Sequence, residues 1–435
     1  MTSNVVHDGR DTIIGFADGV VAGDGYVVGA RSITRLGDFG LIAALTRGAS
    51  LEDLRGQGTT IHGIELDNIL TILNDRQLLA WRLEGHDGVP LAVAQPRHRD
   101  VPWPEPSAAM SGATNVTNLS RFVLLRPHQQ GWLMESGASD WLVKLAPEAL
   151  GLLESKDPQL FGFLGSFGLL ADVDEDPALV TWEFHDRYFA SRSRVEGSGG
   201  GTFRFAGDMS APRARVIPVD GLVVPLPKPT IAEAANFWDV LNRRRSKRQF
   251  HDGPLDVQKL GDVLWRTVRQ QDSVACDLTR PESYDTVFKP VPSAGAIHAV
   301  DLWVAASDVT GVEPAIWWYD AVEHAFVRAA DLDSRISFEY PAPVKIVMTS
   351  RHSRLAWKYE GVAYALALKD VGVIMGALQM VATAMGLGAV PIGSGGASSL
   401  SAALGVTELE YSPVGEILLG SPATGTSSGG SDQPR

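Results

Sequence analysis

Cysteine is almost absent: Cys276 is the one thiol among 435 residues. That excludes an intramolecular disulfide framework and any cysteine-rich metal site, and no metal is expected. Cys276 lies in a polar stretch that reads as a loop, so a structural role is expected for it rather than a nucleophilic one. The chain also has no 18-residue apolar segment and no positively charged start leading into an apolar run, which predicts a cytoplasmic protein with no membrane span. Cations are the minority, 38 Lys and Arg against 51 Asp and Glu, for a formal net charge of −13. An acidic balance of that size repels a phosphate backbone, and no basic face offsets it, so no nucleic-acid partner is expected.

What is present is ordinary for a protein with real cores: 45% hydrophobic and 20% charged residues. The length suits two or three domains of about 100–200 residues each. Residues 13–31 alternate apolar and small residues around Gly19, Gly23 and Gly25, as a hairpin does. Phe39, Leu41, Ile42 and Leu45 share a helical period, Ser50 is placed to cap 51–54, and Ile64, Ile69, Leu70, Ile72 and Leu73 predict a third helix. With the strand 78–83 and a turn at 85–88, these describe a winged-helix-like domain over 1–94. Residues 95–118 read as a linker rich in Pro, Ser, Thr and Asn. A similar grammar recurs over 119–195, with strands around 122–125, 131–134 and 141–145, a helix opened by Pro147 and another through Phe161 and Leu164. The segment 182–194 mixes aromatic and basic residues, and His185 within it is expected to be packed and hydrogen-bonded. Residues 196–230 read as a second linker, 231–423 as a last domain in which helices and strands alternate, and 424–435 as a disordered tail.

The densest chemistry is Arg243-Arg244-Arg245-Ser246-Lys247-Arg248, between a helical pattern and the turn Asp252-Gly253-Pro254. Guanidinium and ammonium groups around a hydroxyl can hold a phosphate through charge-assisted hydrogen bonds. A solvated charge run closing a helix would use the same residues, since cations suit the negative end of the dipole. Three further motifs follow in order: Pro292-Ser293-Ala294-Gly295-Ala296, Trp357-Lys358-Tyr359-Glu360-Gly361 and Gly388-Ala389-Val390-Pro391-Ile392-Gly393. Strands are expected at 300–306, 315–319 and 344–348, and a long, mostly apolar helix over 363–368 and 371–385.

Taken in that order over about 235–422, the motifs resemble the flavin-binding nitroreductase-like fold, and most closely its SagB-type branch, which oxidises azolines to azoles in ribosomal peptides. The resemblance implies an α+β protein: a C-terminal FMN domain with a mixed sheet flanked by helices, dimeric, preceded by one or two winged-helix, peptide-clamp-like domains. It places the FMN phosphate and ribityl chain at Arg244, Ser246 and Arg248. Pro292, Ser293, Ala294 and Gly295 would border the ring, where small residues let backbone amides approach, and Ile392, Gly393 and Ser394 would face the flavin edge. The basic phosphate clamp common near the C-terminus of such proteins has no counterpart here, since no Lys or Arg follows Lys369 until Arg435; Arg351 or Arg354 would have to replace it. Lys358 and Tyr359 match the pair set over the flavin, where a desolvated Lys, or a Tyr assisted by it, can take the ring proton while the cofactor takes the hydride. The implied partners are an azoline-containing precursor peptide, a second copy of the chain and a cyclodehydratase. The competing expectations are another two-electron flavin reaction on a peptide or natural product, a non-catalytic peptide-binding scaffold, and a DNA-binding regulator, which the charge disfavours.

Overall fold

A computed structural model describes residues 12–17, 20–23, 26–29, 32–35, 39–50, 53–54, 64–98, 101, 118–129, 131–171, 177–193, 202–229, 235–332, 336–393, 398–409 and 411–423. Two compact units divide the chain, Met1–Gly200 and Gly201–Arg435. Each has its own sheet.

In the first unit an antiparallel sheet carries six strands: β1 (Thr12–Phe16), β2 (Leu79–Glu84), β3 (Pro90–Pro96), β4 (Val123–His128), β5 (Gly131–Ser136) and β6 (Trp141–Leu145), in the spatial order β1-β2-β3-β6-β5-β4. Period-two patterning sets the buried face: Trp141, Val143 and Leu145 are buried while Leu142 and Lys144 are half-exposed. Against that face pack α1 (Phe39–Arg47), α2 (Ile64–Asp75), α3 (Ala149–Glu154) and α4 (Pro158–Ser166), whose Leu45, Leu66, Leu73 and Phe163 join Trp81 and Met134 in one core. Asp157 caps α4 by accepting from the Leu160 N–H at 2.9 Å, with Pro158 at the first helical position. The expected Ser50 cap is also present, its hydroxyl oxygen accepting from Asp53 N–H at 3.0 Å.

β3 pairs with β6 from Ala92↔Leu145 to Pro96↔Trp141. Strands from the stretches expected to form two winged-helix-like domains therefore belong to one sheet and one core. The expected linker 95–118 is corrected at its start: Gln95 and Pro96 are in β3, and the buried Arg97 guanidinium donates to the Ser136 and Ser139 carbonyls. Most of the remainder lies outside the described residues.

Helix α5 (Phe184–Arg192) contains the aromatic-basic segment. Its Tyr188 hydroxyl and Arg192 guanidinium both reach Glu135, a buried carboxylate on β5 that Arg126 also contacts at 3.1 Å. A buried carboxylate is costly unless paired, so these partners fix the helix to the sheet. His185 is 80% exposed beside Asp186, which corrects the expectation that it is packed.

The second unit has a seven-stranded sheet of β7 (Val223–Pro225), β8 (Val300–Ala306), β9 (Ala315–Asp320), β10 (Ala325–Asp331), β11 (Val344–Ser350), β12 (Gly388–Ile392) and β13 (Ser412–Gly420), ordered β7-β10-β9-β8-β11-β13-β12. Every pairing in it is antiparallel, which corrects the expected mixed sheet. The short turns joining β8, β9 and β10 leave no room for the crossover a parallel pair needs. Alternation along β8 feeds two cores: Leu302, Val304 and Ala306 face one cluster, Trp303 and Ala305 the other. The first cluster is covered by α7 (Val257–Val268) and α9 (Ala363–Ala384), the second in part by α10 (Ser398–Leu404). Helices α6 (Phe237–Arg243) and α8 (His352–Lys358) complete the unit.

The expected linker 196–230 is not a free connector over 202–229. β7 adds to the sheet beside β10, because Val223–Pro225 finds unpaired backbone groups there. The tail 424–435 lies outside the described residues. The expectation of no 18-residue apolar segment is corrected by α9, which is by length and composition long and apolar enough to cross a membrane, with a mean hydropathy of 1.5 over an 18-residue window. Its Val371, Ile374, Leu378 and Ala382 are buried against the sheet, as in a core helix.

Candidate functional site

Helix α9 links the sequence motifs because it carries Asp370 and Gln379. Asp370 is buried, and its carboxylate accepts from the Ser293 hydroxyl at 2.6 Å and from the Ala294 N–H at 3.1 Å. The Ser293 oxygen in turn accepts from the His298 N–H at 3.0 Å, which closes the 292–298 loop on itself. Burial pushes the Asp370 carboxyl up from its ordinary value, and the two donors oppose that shift. Further along α9 the Gln379 amide lies 3.4 Å from the Ser246 hydroxyl. The basic segment is anchored a second time, where Ser246 pairs with Ala389 and Lys247 N–H donates to the Ala389 carbonyl at 3.2 Å, beside β12. The end of β12 then presents Ile392, nearly buried, and Gly393, exposed. Ser394 lies outside the described residues.

Among the described residues neither the Arg244 nor the Arg248 guanidinium has a hydrogen-bond or ion-pair partner. Both are half-buried. At a rise of 1.5 Å per residue, Asp370 and Gln379 stand about 13 Å apart along α9. A ligand with an anionic group at one end and a flat group at the other is what this arrangement suits.

Lys358 and Tyr359, at the C-terminal end of α8, meet the 292–295 loop at Gly295. That glycine has φ +59, and a Cβ there would stand 2.7 Å from both the Lys358 ammonium nitrogen and the Tyr359 hydroxyl oxygen. The left-handed conformation and the missing side chain are both needed, which only glycine supplies without strain. The sequence gives no sign of the third partner, Tyr284, whose hydroxyl lies 2.5 Å from Lys358 Nζ and donates to the Gly295 carbonyl at 2.9 Å. Phe203 is also missed: its N–H donates to the Lys358 carbonyl, and its ring lies 5.4 Å from Nζ. Trp357 backs the group, edge-on to Phe203 at 5.9 Å, with its indole N–H donating to the Met209 carbonyl at 2.9 Å.

Arg351 and Arg354 do not replace the missing phosphate clamp. Arg351 donates to the Arg213 and Ala214 carbonyls at 2.9 and 2.6 Å and pairs with Asp301 at 2.9 Å. Arg354 donates to the Ile297, Pro212 and Asp285 carbonyls. Both are buried, so these bonds hold the 212–214 segment to the unit and commit each guanidinium to protein acceptors. Cys276, half-buried in a loop, accepts a weak contact from Arg213 at 3.6 Å, and its backbone N–H donates to Asp285 at 3.0 Å.

Burial, with help from Lys289 and Arg354, pushes His298 down to about 3 from 6.5, so the folded imidazole is neutral. The unfolded chain binds the extra proton between those values. The stability from His298 is thus present above about 6.5 and lost as pH falls toward about 3. The Tm advantage of the wild type over His298→Gln is expected to shrink steadily from about pH 7 to about pH 4; a difference independent of pH would refute the assignment.

Comparison with known proteins places residues 241–421 on the model of the Nitroreductase family. The Methanocaldococcus jannaschii protein named Putative nitroreductase MJ1384 is 27% identical over 173 residues, 37% of this chain and 80% of that one. Among solved structures, a nitroreductase family protein from Clostridium difficile 630 matches at 15% identity and TM-score 0.29, over 44% of this chain and 88% of its own. The E. coli microcin synthetase McbBCD complex with truncated pro-MccB17 bound matches at 14% identity and TM-score 0.35, over 53% of this chain and 90% of the matched chain. Members of the Nitroreductase family typically bind FMN. The match over residues 241–421 gives this part of the chain the likeness of a Nitroreductase family domain, a family that implies an oxidoreductase.

Proposed function

We propose that the protein is an FMN-dependent azoline dehydrogenase, converting thiazoline or oxazoline rings of a ribosomally made peptide to thiazole or oxazole. The observation that carries this reading is the convergence of Lys358 and Tyr359 on Gly295, the loop residue that borders the proposed ring site. The donor set fits FMN: Arg244, Ser246 and Arg248 would hold the phosphate, and Ser293, Ala294, Gly295, Ile392 and Gly393 would border the ring, with Pro292 and Ser394 beside them. When bound, FMN supplies a two-electron acceptor for a hydride. The chain's own task is to take the ring proton, which Lys358 Nζ or the Tyr359 oxygen does within reach of the same loop. Asp370 keeps that loop closed by holding Ser293 and Ala294.

A homodimer belongs to the same reading. Tyr364, Leu368 and Val373 leave an apolar strip of α9 exposed, and the groove beside it is lined by Tyr364, Leu368, Pro391, Ile392 and Gly393. The azoline-containing precursor peptide is the substrate and a cyclodehydratase its supplier. The test is anaerobic mixing of flavin-loaded protein, sedimenting as a dimer, with a synthetic thiazoline peptide. Bleaching of the flavin with appearance of the thiazole is expected; a flavin that NADH bleaches but the peptide does not would point to the family's other two-electron chemistry instead.

A further inference from the structure

We infer that Tyr284 is a positioning residue that fixes the Lys358 side-chain nitrogen by tying it to the Gly295 carbonyl. The inference rests on the reading of Lys358 as the base, and it begins from proton counting. A tyrosine hydroxyl has one proton and two lone pairs. That proton is committed to the Gly295 carbonyl at 2.9 Å, so in the 2.5 Å contact a Lys358 N–H donates and the Tyr284 oxygen accepts, which leaves the lone pair of the neutral amine free for the substrate's proton.

The relay starts from backbone conformation. Gly295 at φ +59 turns its carbonyl toward Tyr284, which aims the phenol oxygen at Nζ. Lys358 is a flexible four-carbon side chain that would otherwise sample many rotamers. Here it is held from several sides: the Tyr284 ring lies 4.5 Å from Nζ, the Tyr359 ring 5.1 Å and the Phe203 ring 5.4 Å. The rings supply cation–π attraction without choosing a direction for the N–H bonds. Among the described residues, the Tyr284 oxygen is the hydrogen-bond acceptor that gives the Lys358 nitrogen an orientation. Tyr284 is itself held by Trp357 and Phe203, each with a ring centroid 6.2 Å away. Its ring can therefore stay in place when the hydroxyl is removed.

The test has a readout that needs no substrate. Wild type and Tyr284→Phe, both flavin-loaded, are labelled with trace acetic anhydride, and acetylation of Lys358 is measured by peptide mass spectrometry relative to the exposed Lys259. Freeing the amine is expected to raise the relative labelling of Lys358 about 10-fold, the size of one hydrogen bond's contribution. Labelling within about twofold of wild type would overturn the assignment, whatever the enzyme's substrate. The second readout is kinetic. With a thiazoline peptide, Tyr284→Phe should lower kcat with little change in KM, and should cost nothing further in a Lys358→Ala background. A loss that adds to that of Lys358→Ala would overturn the positioning role. Failure of the peptide to reduce even the wild-type flavin would count against azoline oxidation alone, because the labelling result stands independently of it.

Discussion

Arg244→Ala combined with Arg248→Ala is expected to raise the dissociation constant for FMN about 10²–10⁴-fold, because each charged hydrogen bond to the phosphate is worth about 1.5–3 kcal/mol. The size of the effect follows from what the two side chains do otherwise, which among the described residues is nothing: neither guanidinium has a protein partner. Buried arginines on the same unit, such as Arg351 and Arg354, would be poor controls, since their removal orphans the carbonyls they hold. Removing Arg244 and Arg248 should leave the apo protein's Tm near that of wild-type apo protein while the purified protein loses its yellow colour. Fluorescence titration with FMN measures the change directly. Unchanged flavin occupancy in the double variant would sink the phosphate assignment.

Lys358→Ala should retain flavin and lose about 10²–10⁴-fold in the rate of anaerobic flavin reduction by an azoline peptide, the usual worth of a general base. Retention is expected because Lys358 meets the loop at Gly295, away from Ser246 and its neighbours on β12. Tyr359→Phe should fall in the same direction, and the two losses should be strongly non-additive if they share one proton. Anaerobic measurement matters, since oxygen chemistry then cannot limit the rate. Variants that reduce flavin normally and slow only its reoxidation would show that neither residue is the base. Variants that arrive colourless would make the pair structural.

The candidate site could be proposed from the sequence where its residues are neighbours in the chain. The spacing of Arg244, Ser246 and Arg248 after a helix pattern, and the Pro-Ser-Ala-Gly loop, are runs of adjacent residues whose identities state their use. Strands 300–306 and 315–319 and the long apolar helix could be read because burial on both faces leaves continuous apolar runs. Tyr284 and Phe203 could not be read, because their role depends on tertiary placement beside a lysine far along the chain. The Arg351 and Arg354 expectation failed for a related reason: a guanidinium is equally suited to a phosphate and to three carbonyls, and only the fold chooses. The mixed sheet that the resemblance implies does not form, because the short turns between β8, β9 and β10 allow only antiparallel pairing there. In the first unit, period-two patterns gave the strands but said nothing of which strands pair. β3 and β6 join across a stretch that looks like a break.

The hold of Arg351 and Arg354 on residues 212–214 changes where the catalytic module begins. By family match it starts at 241, yet three carbonyl partners of these two buried cations, those of Pro212, Arg213 and Ala214, lie ahead of it. A fragment cut at the match would bury two guanidiniums short of their acceptors, at about 1–3 kcal/mol for each lost partner. It would also lose Phe203 from above Lys358. The smallest piece expected to fold with these bonds intact therefore starts near residue 202, ahead of the recognisable domain.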